Sequence, residues 1–456
     1  NASVPEPPAD DNPVEQAIEE FTNTELKMQW FQGGTFENEI LPARFASGDI
    51  PEVVGFGGTI RLSYMTSAMQ DGLLWDITDR IWDYPNLADL GETRITNASV
   101  DGRLYGVPRA RPLVRRTFVY RRDWAEKLGI PEPTNVDEFY EMARAFTQDD
   151  PDGNGEDDTF GWWQVDGNEG HFGVIFGAPT NWGYIDGEMV KAETTLEYMQ
   201  ALKFMRRMYD DGLMHPEWPI MSRGNDAIPA MTEGRAGMMR FNVSGWGSQP
   251  ARSQAINPDA DPWAFSVVEG PNGTYTIGER GFNGILAINK DLVETEEHLD
   301  AILTFFDQMG SEEMSSLMVW GLEGVHHEMV NGLATPIEGT GDAFNREVLF
   351  PYRYTIIANW PEFRAKPGDG GPVAQRQVEL WEQMERYAQP DPTEPLFSET
   401  EAERGSDLDQ ILDDAGKRFI TGQISEGEYW TAVDRWRAAG GDAMAEEYTA
   451  AYEAAN

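Results

Sequence analysis

Cysteine is absent from all 456 residues. Its absence excludes disulfides, thiolate metal sites and cysteine nucleophiles, and it suits a chain outside a reducing cytoplasm. Positive charge is scarce as well. Lys and Arg total 35, only 7 of them Lys, against 79 Asp and Glu, a formal net of −44. Such a field repels phosphate backbones, which excludes nucleic acid as a natural partner. An acidic, lysine-poor surface suits salty or calcium-rich surroundings and resists aggregation, so the charge speaks of habitat more than of ligand. No apolar run reaches the roughly 18 residues of a membrane helix. No charged-then-apolar leader opens the chain; Asn1-Ala2-Ser3-Val4-Pro5-Glu6-Pro7-Pro8 reads as an extended polar tail of the kind left when a leader is removed.

Signatures of catalysis are missing too. There is no Gly-x-Ser-x-Gly elbow, Walker loop, helical zinc-type His pair or Rossmann glycine set. His326 and His327 are adjacent, cannot share a helix face, and read as structural. Paired carboxylates for glycoside hydrolysis carry no weight, because among 79 acids some pair always exists. The chain therefore reads as a non-enzyme.

What is present is enough for two or three domains: 456 residues exceed one compact core, and 40% hydrophobic residues support ordinary globular packing. Apolar residues recur at helical spacing in Val136, Phe139, Tyr140, Ala143 and Phe146, with Thr134 or Asn135 as cap. Leu196, Met199, Leu202, Met205 and Tyr209 form a second stripe; Leu299, Ile302, Leu303 and Phe306 a third; Leu408, Ile411, Leu412, Ala415 and Phe419 a fourth. Short β-type runs fall between them, at Glu25 to Trp30, Glu52 to Gly55, Arg116 to Tyr120, Ala236 to Phe241, Trp263 to Val268 and Gly284 to Ile288. Alternating helices and short strands predict α/β lobes. No internal repeat, low-complexity block or Gly/Ser linker occurs, so structured crossovers are expected to join them.

The sharpest local signal is Asp150-Pro151-Asp152-Gly153-Asn154-Gly155-Glu156-Asp157-Asp158. Oxygen side chains recur at alternate positions, and Gly155 is sixth, as in the opening of a calcium loop, where a hard cation takes several oxygens at about 2.3–2.6 Å. Asp150, Asp152, Asn154 and Asp158 would ligate through side chains and Glu156 through its carbonyl. Position twelve, which in a full EF-hand is Glu, is Gly161. The bland alternative is a solvated acidic turn. The spacing favours a calcium ion, and a structural one.

Aromatic residues give the second signal. Fifteen Trp is high for this length, and sugar rings stack flat C–H faces on aromatic faces while their hydroxyls need polar partners. Trp162, Trp163, Trp182 and Trp320 fall near predicted loops or strand ends, as do Trp75 and Trp82. Trp246 in Asn242-Val243-Ser244-Gly245-Trp246 and Trp360 in Asn359-Trp360-Pro361 have polar and turn residues around them. For any single Trp, core packing is the competing reading.

An ordered set of segments carries a resemblance. Ala46-Ser47-Gly48-Asp49-Ile50-Pro51-Glu52-Val53-Val54, Asp101-Gly102-Arg103-Leu104-Tyr105-Gly106-Val107-Pro108, and Tyr120-Arg121-Arg122-Asp123-Trp124 through Leu128-Gly129-Ile130-Pro131 resemble the corresponding segments of extracellular solute-binding proteins of bacterial ABC importers. The calcium-type loop follows, as in the oligosaccharide-binding lipoprotein branch that includes LplA and the alginate-binding proteins. Gly234-Arg235-Ala236-Gly237-Met238, Gly321-Leu322-Glu323-Gly324-Val325-His326-His327, Phe419-Ile420-Thr421-Gly422 and Ala450-Ala451-Tyr452 keep the order.

The resemblance implies a periplasmic-binding-protein-like type II fold: two α/β lobes, a hinge, and a ligand cleft between the lobes. It implies one lobe from residues 1–115 and 285–340 and another from 116–284 and 341–456. It implies an extracellular protein, lipid-anchored at the cell surface or periplasmic. Acting as a monomer, it would capture an oligosaccharide and deliver it to the permease of an ABC importer. The anchor cysteine of such lipoproteins would lie just before Asn1. Trp162, Trp163, Trp182, Asn242, Trp246, Trp320, Asn359, Trp360, Arg109 and Arg111 are the ligand-binding candidates. With Arg115 and Arg116, the last two form a cationic stretch that could meet an acidic sugar; pairing with the protein's own carboxylates is an equal alternative. In the alginate-binding proteins a further carboxylate follows the loop; here that position is Thr159, so Thr159 or Asp157 must compensate. The alternatives are a secreted calcium-dependent glycoside hydrolase or lyase, and the same fold holding a peptide or another solute.

Overall fold

The computed structural model describes residues 8–9, 12–31, 36–55, 57–58, 60, 62–266, 268–353, 356, 365–366, 368 and 371–455. The chain divides into two compact units, each discontinuous in sequence.

Unit 1 comprises Asn1–Pro112, Arg280–Gly370 and Glu394–Phe397. Its antiparallel sheet runs in the order Val53–Gly55, Phe282–Ile288, Gly106–Ala110. The central strand is apolar without alternation and buried from Gly284 to Ile288, the pattern of a strand covered on both faces. Helix Glu296–Met309 is capped by Thr295, which accepts the backbone N–H of His298. It sends Leu299, Leu303 and Phe306 into the same core as Val107, Ile285 and Leu286.

Two features of unit 1 differ from the sequence reading. The segment Glu25 to Trp30 alternates as expected, with Leu26, Met28 and Trp30 half-buried against the core, yet it belongs to no sheet among the described residues. Period two records a chain lying extended on a core; it does not by itself supply a hydrogen-bonding neighbour. The second difference is residues 341–370, grouped above with the other lobe. Val348 and Tyr352 lie in the unit 1 core, the Tyr352 hydroxyl donates to the Glu15 carboxylate, and Asn12, which caps the first helix Pro13–Thr22, donates to the Glu347 carbonyl at 3.2 Å. Pro351 lies within this irregular helical segment, so no clean period marks which core it serves.

Unit 2 comprises Leu113–Glu279, Gly371–Thr393 and Ser398–Asn456. Its four-stranded mixed sheet has the order Phe160–Trp163, Ala236–Asn242, Arg116–Arg121, Pro262–Phe265. The first pair is parallel and the others antiparallel. On one face, Phe118, Trp162 and Phe265 pack with Phe139 and Phe172 from two helices, Val136–Gln148 and Glu169–Ile175. On the other, Val119, Trp163, Met239 and Ala264 share a core with Trp246, Leu380, Trp381 and Met384.

Helix Val136–Gln148 begins where the capping signal places it: Asn135 accepts the Glu138 N–H, and the Glu138 carboxylate accepts the Thr134 N–H at 2.8 Å. It lies very close to the sheet because Gly161 and Gly237 present no side chain to it. A Cβ at Gly237 would stand 2.5 Å from the Phe146 ring. Helix Leu196–Asp210 buries Met199, Leu202, Met205 and Met208, but Leu196 is 68% exposed, since Thr195 caps the helix and the first turn projects into solvent. Helices Glu399–Ile420, Glu426–Trp436 and Asp442–Ala455 complete the unit.

Candidate functional site

The acidic loop connects helix Val136–Gln148 to strand Phe160–Trp163. Asp150, Gly153 and Gly155 take positive φ of 46°, 79° and 79°, curling the chain on itself. The Asp150 carboxylate accepts the N–H groups of Gly153 at 2.9 Å and Gly155 at 3.2 Å. The Asn154 amide donates to Asp152 at 2.9 Å and to both Asp158 oxygens at 3.3 Å. Its own oxygen accepts the Glu156 N–H at 2.6 Å. Burial, with the Asp158 and Asp150 charges adding to it, lifts the Asp152 carboxyl above its ordinary range. The Asn154 N–H groups occupy the space between carboxylates that a cation would take.

This oxygen set suits a hard cation in its chemistry. In the present geometry, no group of three Asp, Glu or His among the described residues is spaced to hold a metal. A ligand role for Asn154 requires its amide to turn oxygen-inward. The buried Thr159 hydroxyl donates to the Phe146 carbonyl at 2.8 Å, and Asp157 is exposed.

The tryptophan candidates divide by burial. Trp162, Trp163, Trp182 and Trp246 are 0–2% exposed and lie within unit 2. Trp162 packs edge-on to Phe118, Phe139 and Phe172, and its indole N–H donates to Gln164 at 2.7 Å. Trp163 lies against Phe160 and His215, Trp182 against Tyr448 and Trp436, and Trp246 against Trp263. These four rings pack on other side chains of unit 2: Trp162, Trp163 and Trp246 in the cores over the sheet, and Trp182 among Trp436 and Tyr448, where an expectation of solvent-facing rings does not hold. Trp320 is half-buried, its N–H bonded to the Lys366 carbonyl at 2.9 Å. Asn359 and Trp360 lie outside the described residues. His326, buried, accepts the Leu322 N–H and stands 3.4 Å from Glu347, in keeping with a structural role.

The arginines expected to act together belong to different units. Arg109 and Arg111 are buried in unit 1, where Arg111 donates to the Ala110 carbonyl at 2.7 Å. Arg115 and Arg116 belong to unit 2. Arg116 forms an ion pair with Glu279 at 2.6 Å and donates to Asn242 at 2.7 Å; Arg115 stands 3.9 Å from the same Glu279.

Two residues that the sequence reading missed join this group. Arg240 sits on strand Ala236–Asn242 opposite Phe118, and Arg223 lies over the Phe241 ring at 5.5 Å. Burial first, then the Arg116 charge, pushes the Arg240 guanidinium down to about 9. The same causes lower Arg223. The available signal was one charge inside the otherwise apolar run Ala-Gly-Met-Met-Arg-Phe, at a position that alternation assigns to a buried face.

Nearby, Glu169 is 8% exposed, and burial lifts its carboxyl to about 7. His171 stacks on Phe118 at 4.8 Å and is held neutral by burial and by Arg240 and Arg116. Unit 1 has a separate open, polar pocket of about 250 Å³ lined by Trp75, Asp76, Asp79, Arg80, Glu296 and Leu299. Arg80 is already engaged there by Asp300 and Glu296.

Comparison with known proteins places these features in context. The profile of a family described as bacterial extracellular solute-binding protein matches residues 1–314. The polygalacturonan/rhamnogalacturonan-binding protein YtcQ of Bacillus subtilis (strain 168) is 33% identical over 454 residues, covering 96% of this chain and 87% of that one. The lipoprotein LipO of the same strain is 30% identical over 468 residues, covering 98% and 90%. Among solved structures, the alginate-binding protein AlgQ2 without calcium ion superposes with a TM-score of 0.69 at 17% identity, over 98% of this chain and 95% of that one, which shows a shared fold. No helix among the described residues is long and apolar enough to cross a membrane.

Proposed function

Because the chain belongs to the bacterial extracellular solute-binding protein family, we propose that it captures an oligosaccharide outside the cell and hands it unchanged to the permease of an ABC importer. The observation that carries the reading is the near-full-length similarity to a protein named for binding polygalacturonan and rhamnogalacturonan. Capture is an equilibrium: hydrogen-bonding side chains and aromatic faces replace water around the sugar, and the permease reads the loaded state. Sugar hydroxyls need polar partners, which Asn242 offers, and a ring face, which Trp320 offers; Asn359, Trp360, Arg109 and Arg111 remain in the proposed ligand set. Trp162, Trp163 and Trp246 instead support the unit 2 sheet, and Trp182 packs on Trp436 and Tyr448.

The acidic loop is proposed to hold a structural calcium ion through Asp150, Asp152, Asn154 and Asp158 side chains and the Glu156 carbonyl. A bound cation would neutralise the gathered carboxylates. The residues themselves tie the end of helix Val136–Gln148 to the strand that follows it.

Calorimetric titration of the purified chain against a panel of neutral and acidic oligosaccharides tests the reading, with chromatography of the recovered sugar. Saturable binding and intact sugar are expected. Cleaved product would replace the reading with a hydrolase or lyase, and a peptide found bound to untreated protein would replace the sugar.

A further inference from the structure

We propose that Arg116 and Arg240 of unit 2 form the seat for a carboxylate of an acidic oligosaccharide, one built from uronic acid residues. The inference rests on the oligosaccharide reading above and adds to it a ligand charge and the residues that read it.

Strand register sets the geometry. Arg116 pairs with Asn242 and Phe118 with Arg240 across the antiparallel ladder. Residues two apart on a strand share a face, so Arg116, Phe118, Arg240 and Asn242 all project from one side of the sheet. Arg116 and Arg240 are diagonal neighbours, a separation of about 7–8 Å that long side chains span readily. Arg223 lies over the ring of Phe241, the strand neighbour of Arg240 whose side chain belongs to the opposite face, and is not part of the seat.

The charge balance here runs opposite to that of the chain. With 79 carboxylates against 35 cations, nearly every arginine can find an acid. The Arg240 charge is opposed by Arg116 and Arg223 and favoured by Glu279, but Glu279 is already paired with Arg116. Among the described residues, Arg240 and Arg223 have no hydrogen bond or ion pair to an acid. Glu169, the other carboxylate acting on Arg240, is a poor counter-ion because burial favours its protonated form.

A half-buried guanidinium stays charged, and leaving it without an anion is unfavourable. An anion arriving with the ligand removes that penalty. The planar fork of arginine matches a carboxylate in a two-bond geometry that a lysine cannot reproduce. The acidity of the whole chain does not forbid this, because salt screens charges beyond about 8 Å under physiological conditions.

The test uses the full chain and three trimers of one linkage: galacturonate, galactose, and galactose carrying sulfate. The galacturonate trimer is expected to bind at least about tenfold more tightly than the galactose trimer. R240Q should remove that preference by weakening galacturonate binding more than neutral-trimer binding, and R240K should restore part of it. Melting of apo R240Q should be no lower than that of the parent chain, because an uncompensated charge is gone; this separates ligand reading from a structural role. Equal affinity for acidic and neutral trimers overturns the inference and leaves the oligosaccharide reading standing. Tighter binding of the sulfated trimer overturns the carboxylate assignment. If no trimer binds while citrate raises the melting temperature, the oligosaccharide reading falls, and this inference with it.

Discussion

A Cβ placed on Gly161 would stand 1.8 Å from the carbonyl oxygen of Ala143. The obstacle is backbone in the middle of helix Val136–Gln148, so no rotamer change relieves it. Gly161→Ala must lift the helix from strand Phe160–Trp163 and open the cluster of Phe118, Phe139 and Trp162. A loss of about 2–4 kcal/mol is expected, as for other overpacked cores. Urea unfolding measures it; an unchanged midpoint would contradict the close approach.

Glu169 sets a pH dependence. Its carboxyl is lifted by burial from 4.5 to about 7, against the opposing pull of its own backbone N–H, with Asp166 and Asp413 raising it and Lys417 lowering it; Arg240 and Tyr198 also face it. The folded state therefore binds this proton more tightly than the unfolded state. The associated stability is complete below pH 4.5 and is lost as pH rises through 7. The loss amounts to at most about 3 kcal/mol, at 1.36 kcal/mol per unit. Glu169→Gln should be more stable than the parent at pH 8, with the gap closing towards pH 5. Urea titrations at four pH values decide; a gap independent of pH counts against it.

Calcium should stabilise the chain through the loop. At a free ion concentration one hundred times the dissociation constant, the gain is about 2.7 kcal/mol. A chelator is expected to lower the melting temperature by several degrees. Asp152→Asn should abolish that response and, in chelator, melt above the parent, because it removes charge from the Asp150–Asp152–Asp158 cluster. Identical melting with and without chelator argues against the ion.

Much of this was legible in the chain because it is local. The cap at Asn135, the Phe139–Phe146 stripe and the curled loop with glycines at 153 and 155 all follow from residues a few positions apart. The α/β character followed from the same periodicities. The core for residues 341–353 was not legible, because the segment has no period and its partners include Asn12 and Glu15, more than 300 positions earlier. Burial of individual tryptophans was equally hidden: an indole suits a core and a sugar for the same reason, a large flat apolar face. Arg240 escaped notice because its meaning depends on what surrounds it across the sheet, where Arg116 and Phe118 are neighbours only after the strands pair.

Trp246 separates the two uses of an indole. It is fully buried, meets Trp263 edge-on at 5.3 Å, and belongs to the core with Trp163 and Trp381. Trp246→Leu should lower stability by about 2–4 kcal/mol through the space it leaves. Part of that loss is offset because the indole N–H has no hydrogen-bond partner among the described residues. The folded fraction should bind sugar with unaltered affinity, since no face of the ring reaches solvent. Calorimetric titration at low temperature, alongside urea unfolding, reads both quantities on one sample. A variant that keeps its stability but loses its sugar would return Trp246 to the binding surface and require unit 2 to open around it.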